Sequence, residues 1–435
     1  MHEQHIAIIG AGTAGLAAAI ILARQGHKIT IFEAVDHLSP VGAGLLLQPA
    51  GLAVFAHLGV LEHALGLGAV VTGLEGRLPN QQLLVNSHYL QAGQNLYGLG
   101  IHRATLCHVL MTALQNQNFT HHITWHMGAH IHKVEEQQGS CVVTGSIQQQ
   151  AFTTNFDLVI VANGARSQLR PKEWVRLDKS YPWGAAWTIV SECLALDTQI
   201  LHQFYDGAKI MMGVLPTGAM PDAPTQRLSS VFWSLHSQQL QQWGKTEKQR
   251  QDWLTQVDQR WPVVAQWLAT VINQPDQWLA ANYRDVVMSR FGQGCIGVIG
   301  DAAHAMSPQL GQGANMALLD AWALGQACAK ATDLNELWQH YHQLRASSTH
   351  FYQWLSRQLT PLYQSDNEWA AKLRDFAFIW MYRVPYFRKE MAITISGLKK
   401  GMFTAFDFKD IGSVDVLRFS QPQSKCQQTL SEYKK

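Results

Sequence analysis

Hydrophobic positions fall into two regimes along this chain. At the start, an apolar run at residues 6–9 leads into small and aliphatic residues at 14–25, closed by Gly26, and then a second apolar run at 28–32 ends at Glu33. Short apolar runs bounded by glycine read as strands buried on both faces, and the stretch between has helix length, so the chain opens with a β-α-β unit. Helices are expected over 50–58 and 103–116, alternating antiparallel strands over 123–143, and a buried strand over 157–162 that turns at Asn163-Gly164. Polarity rises from 70 to 98 around the turn Leu78-Pro79-Asn80, which reads as an excursion into another domain. The second regime is aromatic and β-branched. Residues 183–190, 203–215 and 228–235 read as strands, and 238–268, with Trp243, Trp253, Trp261 and Trp267, as amphipathic helix. After Tyr283 the opening pattern returns with the apolar run 295–299 and a helix over 315–330, and the chain from 334 on is mostly helical.

At 435 residues the chain exceeds what one hydrophobic core serves, so two domains or large insertions are expected. A net charge of +2 argues against a nucleic-acid surface. Six cysteines are scattered without a C-x-x-C pair, which points to a reducing cytoplasm and to neither a disulfide framework nor a zinc site. The opening Met-His-Glu-Gln-His has no basic, apolar leader, so no signal peptide is expected. The most apolar long stretch, 41–61, holds Gln48, Pro49 and His57 and reads as a loop entering a buried helix, not a membrane span.

Two glycine-bearing segments carry chemistry. Gly10-Ala11-Gly12-Thr13-Ala14-Gly15 joins a strand to a helix, a pattern that turns backbone N–H groups and a helix N-terminus towards a pyrophosphate. Gly10 permits the turn, Gly12 lets backbone approach phosphate, and Gly15 lets helix and strand lie close. Glu33, eighteen residues past Gly15, can accept hydrogen bonds from a ribose diol. The second segment, Gly300-Asp301-Ala302-Ala303-His304, runs on through Pro308, Gly311 and Gly313. Asp301 follows a buried strand at a tight turn, where a carboxylate can bind the hydroxyls of a ribityl chain, and a helix opening at Ala314 and Asn315 would favour an anionic reduced flavin. Together the two segments ask for FAD held across a discontinuous domain.

Residues 300 to 315, Gly-Asp-Ala-Ala-His-Ala-Met-Ser-Pro-Gln-Leu-Gly-Gln-Gly-Ala-Asn, closely resemble the second FAD signature of the single-component flavin monooxygenases, the enzymes of the para-hydroxybenzoate hydroxylase fold. The segment 42–48, with Gly44 and Leu46, resembles the family stretch beside the flavin ring. Ile101-His102-Arg103-Ala104-Thr105-Leu106 is similar to the stretch whose arginine contacts FAD, and Val134 falls where family backbone holds adenine. The resemblance implies an α/β fold with α+β elements. Its parts would be a discontinuous Rossmann-like FAD-binding domain (1–72, 101–175 and 284–333), an inserted sheet-plus-helix substrate domain (73–100 and 176–283) and a helical C-terminal region (334–435).

It further implies a hydroxylase that takes electrons from transiently bound NADH or NADPH and uses O2, through a flavin C4a-hydroperoxide, to oxidise an aromatic or flat apolar small molecule. Pro308 and the backbone of 310–314 would shape the flavin face, and no single general base stands out. The substrate would lie between the flavin and the second sheet, with Trp187, Tyr205, Met212 and Trp233 as candidate lining residues, although each also reads as ordinary core. One departure stands in the middle signature, Ala162-Asn163-Gly164-Ala165-Arg166-Ser167-Gln168-Leu169-Arg170, where Asn163 occupies a position at which aspartate is usual. The family ties that segment to FAD and nicotinamide, so a reductase or dehydrogenase without oxygen insertion, and a non-catalytic flavoprotein, stay open as alternatives.

The histidines at 121, 122, 126, 130 and 132 read as a solvated strand face and not as metal ligands, and His304 as a structural hydrogen-bonder. The aromatic and basic stretch 374–400 reads as helix packed on the FAD domain or a second subunit, in preference to a membrane-surface helix.

Overall fold

The computed structural model describes residues 1–38, 42–93, 95–116, 120–137, 139–275, 277–407 and 411. Val41, the first residue of the apolar stretch read above, and residues 412–435 of the C-terminal region lie outside the described residues. One sheet has six strands in the order Gly292–Gln293, Ile296–Val298, Leu158–Val161, His5–Ile9, Lys28–Glu33 and Ile123–Met127. All of its pairs are parallel except the first. The buried residues Ile6, Ile8, Val159 and Val161 show why the apolar runs are continuous: helices cover the sheet's faces. Helix Thr13–Arg24 packs against helix Gly313–Lys330 so closely that a Cβ on Gly325 would lie 2.2 Å from Ile21 Cγ2. The start of the chain and residues near 300 therefore share one core.

A seven-stranded sheet runs Leu279–Met288, Val175–Ser191, Ala223–His236, Ile210–Met220, Ile200–Asp206, Gly73–Arg77 and Leu83–His88. The excursion near residues 73–88 thus adds two strands to a sheet built mainly from 175–288. One face of this sheet buries Met212 and Trp233 against Trp253 and Trp261, on or beside helices Glu247–Asp258 and Pro262–Val271. The other buries Tyr205 and Met211 with Tyr363 and Phe378 of the C-terminal helices Leu334–Tyr363 and Glu368–Met381.

Two local expectations change. Residues 203–215 are not one strand. Gly207, at φ +63°, turns the chain into a hairpin in which Tyr205 faces Met211. Nor is 123–143 antiparallel throughout. Gly128, at φ +64°, separates Ile123–Met127, the edge of the parallel sheet, from Ala129–Gln137, which pairs antiparallel with Ser140–Ile147.

Candidate active site

The first turn is shaped by contacts only glycine permits. Gly10 sits at φ +109°, and a Cβ there would lie 2.6 Å from the Ala162 carbonyl oxygen. A Cβ on Gly15 would fall 1.9 Å from the Gly10 carbonyl oxygen, so helix and strand touch. Gly12 differs: its φ of −82° suits any residue, and a Cβ there would meet nothing within 4 Å. Helix Thr13–Arg24 has no side-chain cap and no acid in its first turn, which leaves its leading N–H groups to serve a ligand. Glu33 ends the adjacent strand. Its carboxylate accepts the Ala11 N–H at 2.7 Å and the Val35 N–H at 3.2 Å, and it lines a cavity of about 1230 Å3 together with Gly10, Gly12 and Arg103.

That cavity shares Gly12, Arg103, Ala162 and Gly164 with a second of about 750 Å3, so the two form one elongated groove. The second motif lines the far half. Gly300, at φ +62°, presents Asp301 to the groove, and Pro308, Gly311, Gly313 and Ala314 follow. Helix Gly313–Lys330, like the first, lacks a side-chain cap and an acid in its first turn. Thr13, Ala14, Gly44 and Leu46 also line this half. A long groove with one uncapped helix end at each part, and open space where Gly12 lacks a side chain, fits FAD.

Asn315 does not line the groove. Fully buried, it accepts the Gln48 N–H at 2.7 Å and donates to the Leu46 and Gly311 carbonyls at 3.3 and 3.1 Å. It fixes the groove's wall to the helix end. Gln48, the last residue of the segment expected beside the flavin ring, accepts the Tyr89 hydroxyl and lines the groove.

Behind the second motif lies a buried charge network. Asp320 accepts Arg345 Nε at 2.7 Å, the Gly300 N–H at 2.8 Å and His304 Nε2 at 2.5 Å, with all three side chains inaccessible. Burial alone would raise the Asp320 carboxyl. His304, Arg345 and the Gly300 N–H outweigh it and hold the group well below the usual carboxylate range. His304 is thus a structural partner. In the middle signature, Arg170 donates to the Ala302, Ser167 and Ala165 carbonyls and pairs with Asp178 at 3.1 Å, tying the Ala162–Ser167 turn to the second motif. Asn163 lies at the turn lining the larger cavity, beside Gly164 at φ +84°.

Besides Asn315, three expected contacts are placed differently. Val134 pairs with Val143 in the antiparallel sheet, and the larger cavity is lined instead by residues 129–132 of the same strand. Trp187 and Tyr205 line the smaller cavity, but Met212 and Trp233 point to the opposite face, into the tryptophan core. The lining residues are their neighbours Met211 and Phe232, with Gln203 and Tyr283. Side chains alternate along a strand, so one residue of offset exchanges the faces. The pairing Trp187↔Phe232 shows the phase. Trp187 Nε1 donates to the Tyr283 hydroxyl at 3.2 Å and the Tyr205 hydroxyl to Gln203 Oε1 at 2.5 Å. The C-terminal helices supply the remaining wall through Tyr363, Phe378 and Tyr382.

Residues 3–350 match the FAD binding domain family. The chain is 23% identical over 408 residues to 3-hydroxybenzoate 6-hydroxylase of Polaromonas naphthalenivorans, an alignment covering 87% of this chain and 92% of that protein. It is 24% identical over 374 residues to FAD-dependent urate hydroxylase of Klebsiella pneumoniae subsp. pneumoniae, covering 78% and 85%. Among solved structures, p-nitrophenol 4-monooxygenase from Pseudomonas putida DLL-E4 shares the fold, with a TM-score of 0.73 at 16% identity over 91% of this chain and 99% of that one. Because the family match runs unbroken through both glycine turns and the strands between them, the chain belongs to the FAD binding domain family and is an FAD-dependent monooxygenase.

Proposed function

We propose that the enzyme hydroxylates a neutral, flat aromatic or apolar molecule. The balance is substrate–H + NAD(P)H + H+ + O2 giving substrate–OH + NAD(P)+ + H2O. FAD, when bound, supplies the redox and oxygen chemistry. The chain's residues hold and shield it. The N–H groups at Gly12, Thr13 and Ala14, with Arg103, would meet the pyrophosphate, Glu33 a ribose, and Asp301 the ribityl hydroxyls. The end of helix Gly313–Lys330 would face the pyrimidine edge, where negative charge gathers on reduction. Trp187, Tyr205, Met211 and Phe232 would exclude water from the far side of the ring.

The observation that carries the neutral-substrate reading is the charge of the smaller cavity. Among the described residues its only cations are Arg103, at the groove's shared waist, and Lys399, whose ammonium is held by Glu390 and the Met402 carbonyl. A substrate carboxylate on the aromatic wall would find no free partner, and an unpaired buried charge costs far more than the ~1.4 kcal/mol that corresponds to tenfold in affinity. The substrates in the relatives' names, 3-hydroxybenzoate, urate and p-nitrophenol, are all flat rings; since 3-hydroxybenzoate and urate are anions, the names support the flat shape, and the neutral charge rests on this cavity alone.

The test is substrate-stimulated NAD(P)H oxidation by the flavin-loaded protein, with matched phenols differing only in a carboxylate. The neutral member is expected to act at concentrations at least ~10-fold lower, and the opposite order would sink the proposal. For the cofactor, Asp301→Ala is expected to weaken FAD by about ten- to a hundredfold, the value of a hydrogen bond to a charged group. An equilibrium titration of the apoprotein checks this, and unchanged affinity removes Asp301 from the site.

A further inference from the structure

Helix Glu368–Met381 has two apolar faces, and only one is used. Ala371, Arg374 and Phe378 pack inward. On the opposite side Trp369, Leu373, Phe376 and Trp380, spaced 4, 3 and 4 residues apart, are 78%, 64%, 67% and 55% exposed. That stripe is an apolar face that no described residue covers. It continues onto the next helix, Pro385–Ile395, through the exposed Tyr386 and Phe387, and both helices pack against the edge strand Leu83–His88. Leu90 and Phe403, 64% and 87% exposed, extend the apolar surface.

The charges on this surface are mostly positive, although Glu368, which opens helix Glu368–Met381, is an exposed acid. Between residues 369 and 403 the only acids are Asp375 and Glu390. Each is already engaged by a buried cation, Arg374 and Lys399 respectively. Lys372, Arg383, Arg388 and Lys389 make no ion pair among the described residues, and Lys372 and Arg383 lie over the rings of Trp369 and Trp380. Aromatic rings interleaved with unopposed cations match the interface of an anionic bilayer, where rings sit at headgroup depth and cations meet phosphate. Self-association through a two-fold axis would instead press these cations against their copies. No helix among the described residues is long and apolar enough to cross a membrane, so the match is to its surface.

The patch is also continuous with the substrate cavity. Trp354, Phe387 and Met402 line the cavity and are 43%, 41% and 53% exposed, so they form its rim on the same side of the molecule. We propose that this face docks on an anionic membrane surface and turns the cavity mouth towards the acyl region, so that a membrane-dissolved neutral aromatic enters without crossing water. The route of entry rests on the substrate reading above, whereas docking does not.

The test is flotation of the full-length, flavin-loaded protein with phosphatidylcholine–phosphatidylserine vesicles and with pure phosphatidylcholine vesicles. Flotation with the anionic vesicles alone is expected. The pair Phe376→Asp and Trp380→Asp should lower binding by about tenfold or more. Arg388→Gln with Lys389→Gln should lower it by about fivefold per cation. Both variants should keep their FAD and their NAD(P)H oxidation with dispersed substrate. Absence of flotation, or flotation that the variants leave unchanged, overturns the proposal. So does sedimentation showing that the aspartate pair converts a dimer to monomer while flotation persists, since the face would then belong to a second copy. A protein that floats but oxidises no neutral aromatic would leave docking standing and remove the substrate reading.

Discussion

Gly12→Val should purify folded and colourless. The backbone at Gly12 is extended, at φ −82° and ψ −171°, a region open to valine, and among the described residues no atom beyond its two chain neighbours lies within 4 Å of the position its Cβ would take. The new methyl groups therefore cost the apoprotein little. They project instead into the groove in front of the uncapped helix Thr13–Arg24, where a pyrophosphate must come close to meet the N–H groups. Losing two charge-assisted hydrogen bonds of about 1.5–3 kcal/mol each corresponds to roughly 10^2–10^4-fold in affinity. Circular dichroism and thermal melting should match the parent, while visible absorbance of flavin is lost and does not return on adding FAD. A yellow variant would show that the first motif does not grip the cofactor. The neighbouring glycines give a contrasting control. At Gly10 and Gly15 a side chain would strike backbone, so substitution there should cost the fold itself.

The second large effect is on stability. Asp320→Asn keeps the volume of the side chain but removes the charge that Arg345 and His304 share. Arg345 then stays buried beside a neutral amide. Breaking a buried ion pair from one side costs about 3–5 kcal/mol, a large share of the 5–15 typical of folded proteins. Because Asp320 also anchors the Gly300 N–H, the turn that presents Asp301 should loosen and FAD should bind more weakly. Urea unfolding of the apoprotein checks the first expectation and FAD titration the second. A variant as stable as the parent would contradict the reading of this network as a support. The pH dependence has a fixed sign. The Asp320 carboxyl sits below its usual value of 3.8 in the folded chain. Its stabilising contribution is therefore complete above about pH 4 and is lost as acid approaches the depressed folded value. Asp320→Asn should show a shallower loss of stability on acidification.

The α/β class, the family and the cofactor were legible in the sequence because each rests on a local pattern. A buried strand, a glycine turn and a helix lie within a few residues of one another at both ends of the chain. Faces were harder. The strands holding Tyr205, Met211 and Phe232 are apolar on both sides, since one side packs on the tryptophan core and the other on Tyr363 and Phe378. With no polar face to set the phase, Met212 and Trp233 read as well as their neighbours. The hairpin turn at Gly207 was a missed signal, because glycine followed by Ala208 and Lys209 interrupts the apolar run. Val134 illustrates another gap: which residues of a strand reach a groove depends on the turn at Gly128, and this sets the strand's start. Asn315 was legible as part of the motif, but its role was not, because its partners Leu46 and Gln48 lie about 270 residues away in sequence. The C-terminal helices carry no motif, and their part in walling the cavity follows only from packing.

Cofactor stoichiometry tests the central claim most directly, namely that two distant turns build one groove for FAD. Flavin released by denaturing the purified chain should amount to one FAD per chain, with its loss on Gly12→Val and weakened retention on Asp301→Ala. A chain that stays colourless in excess FAD, or that holds flavin equally well with both positions changed, would contradict it.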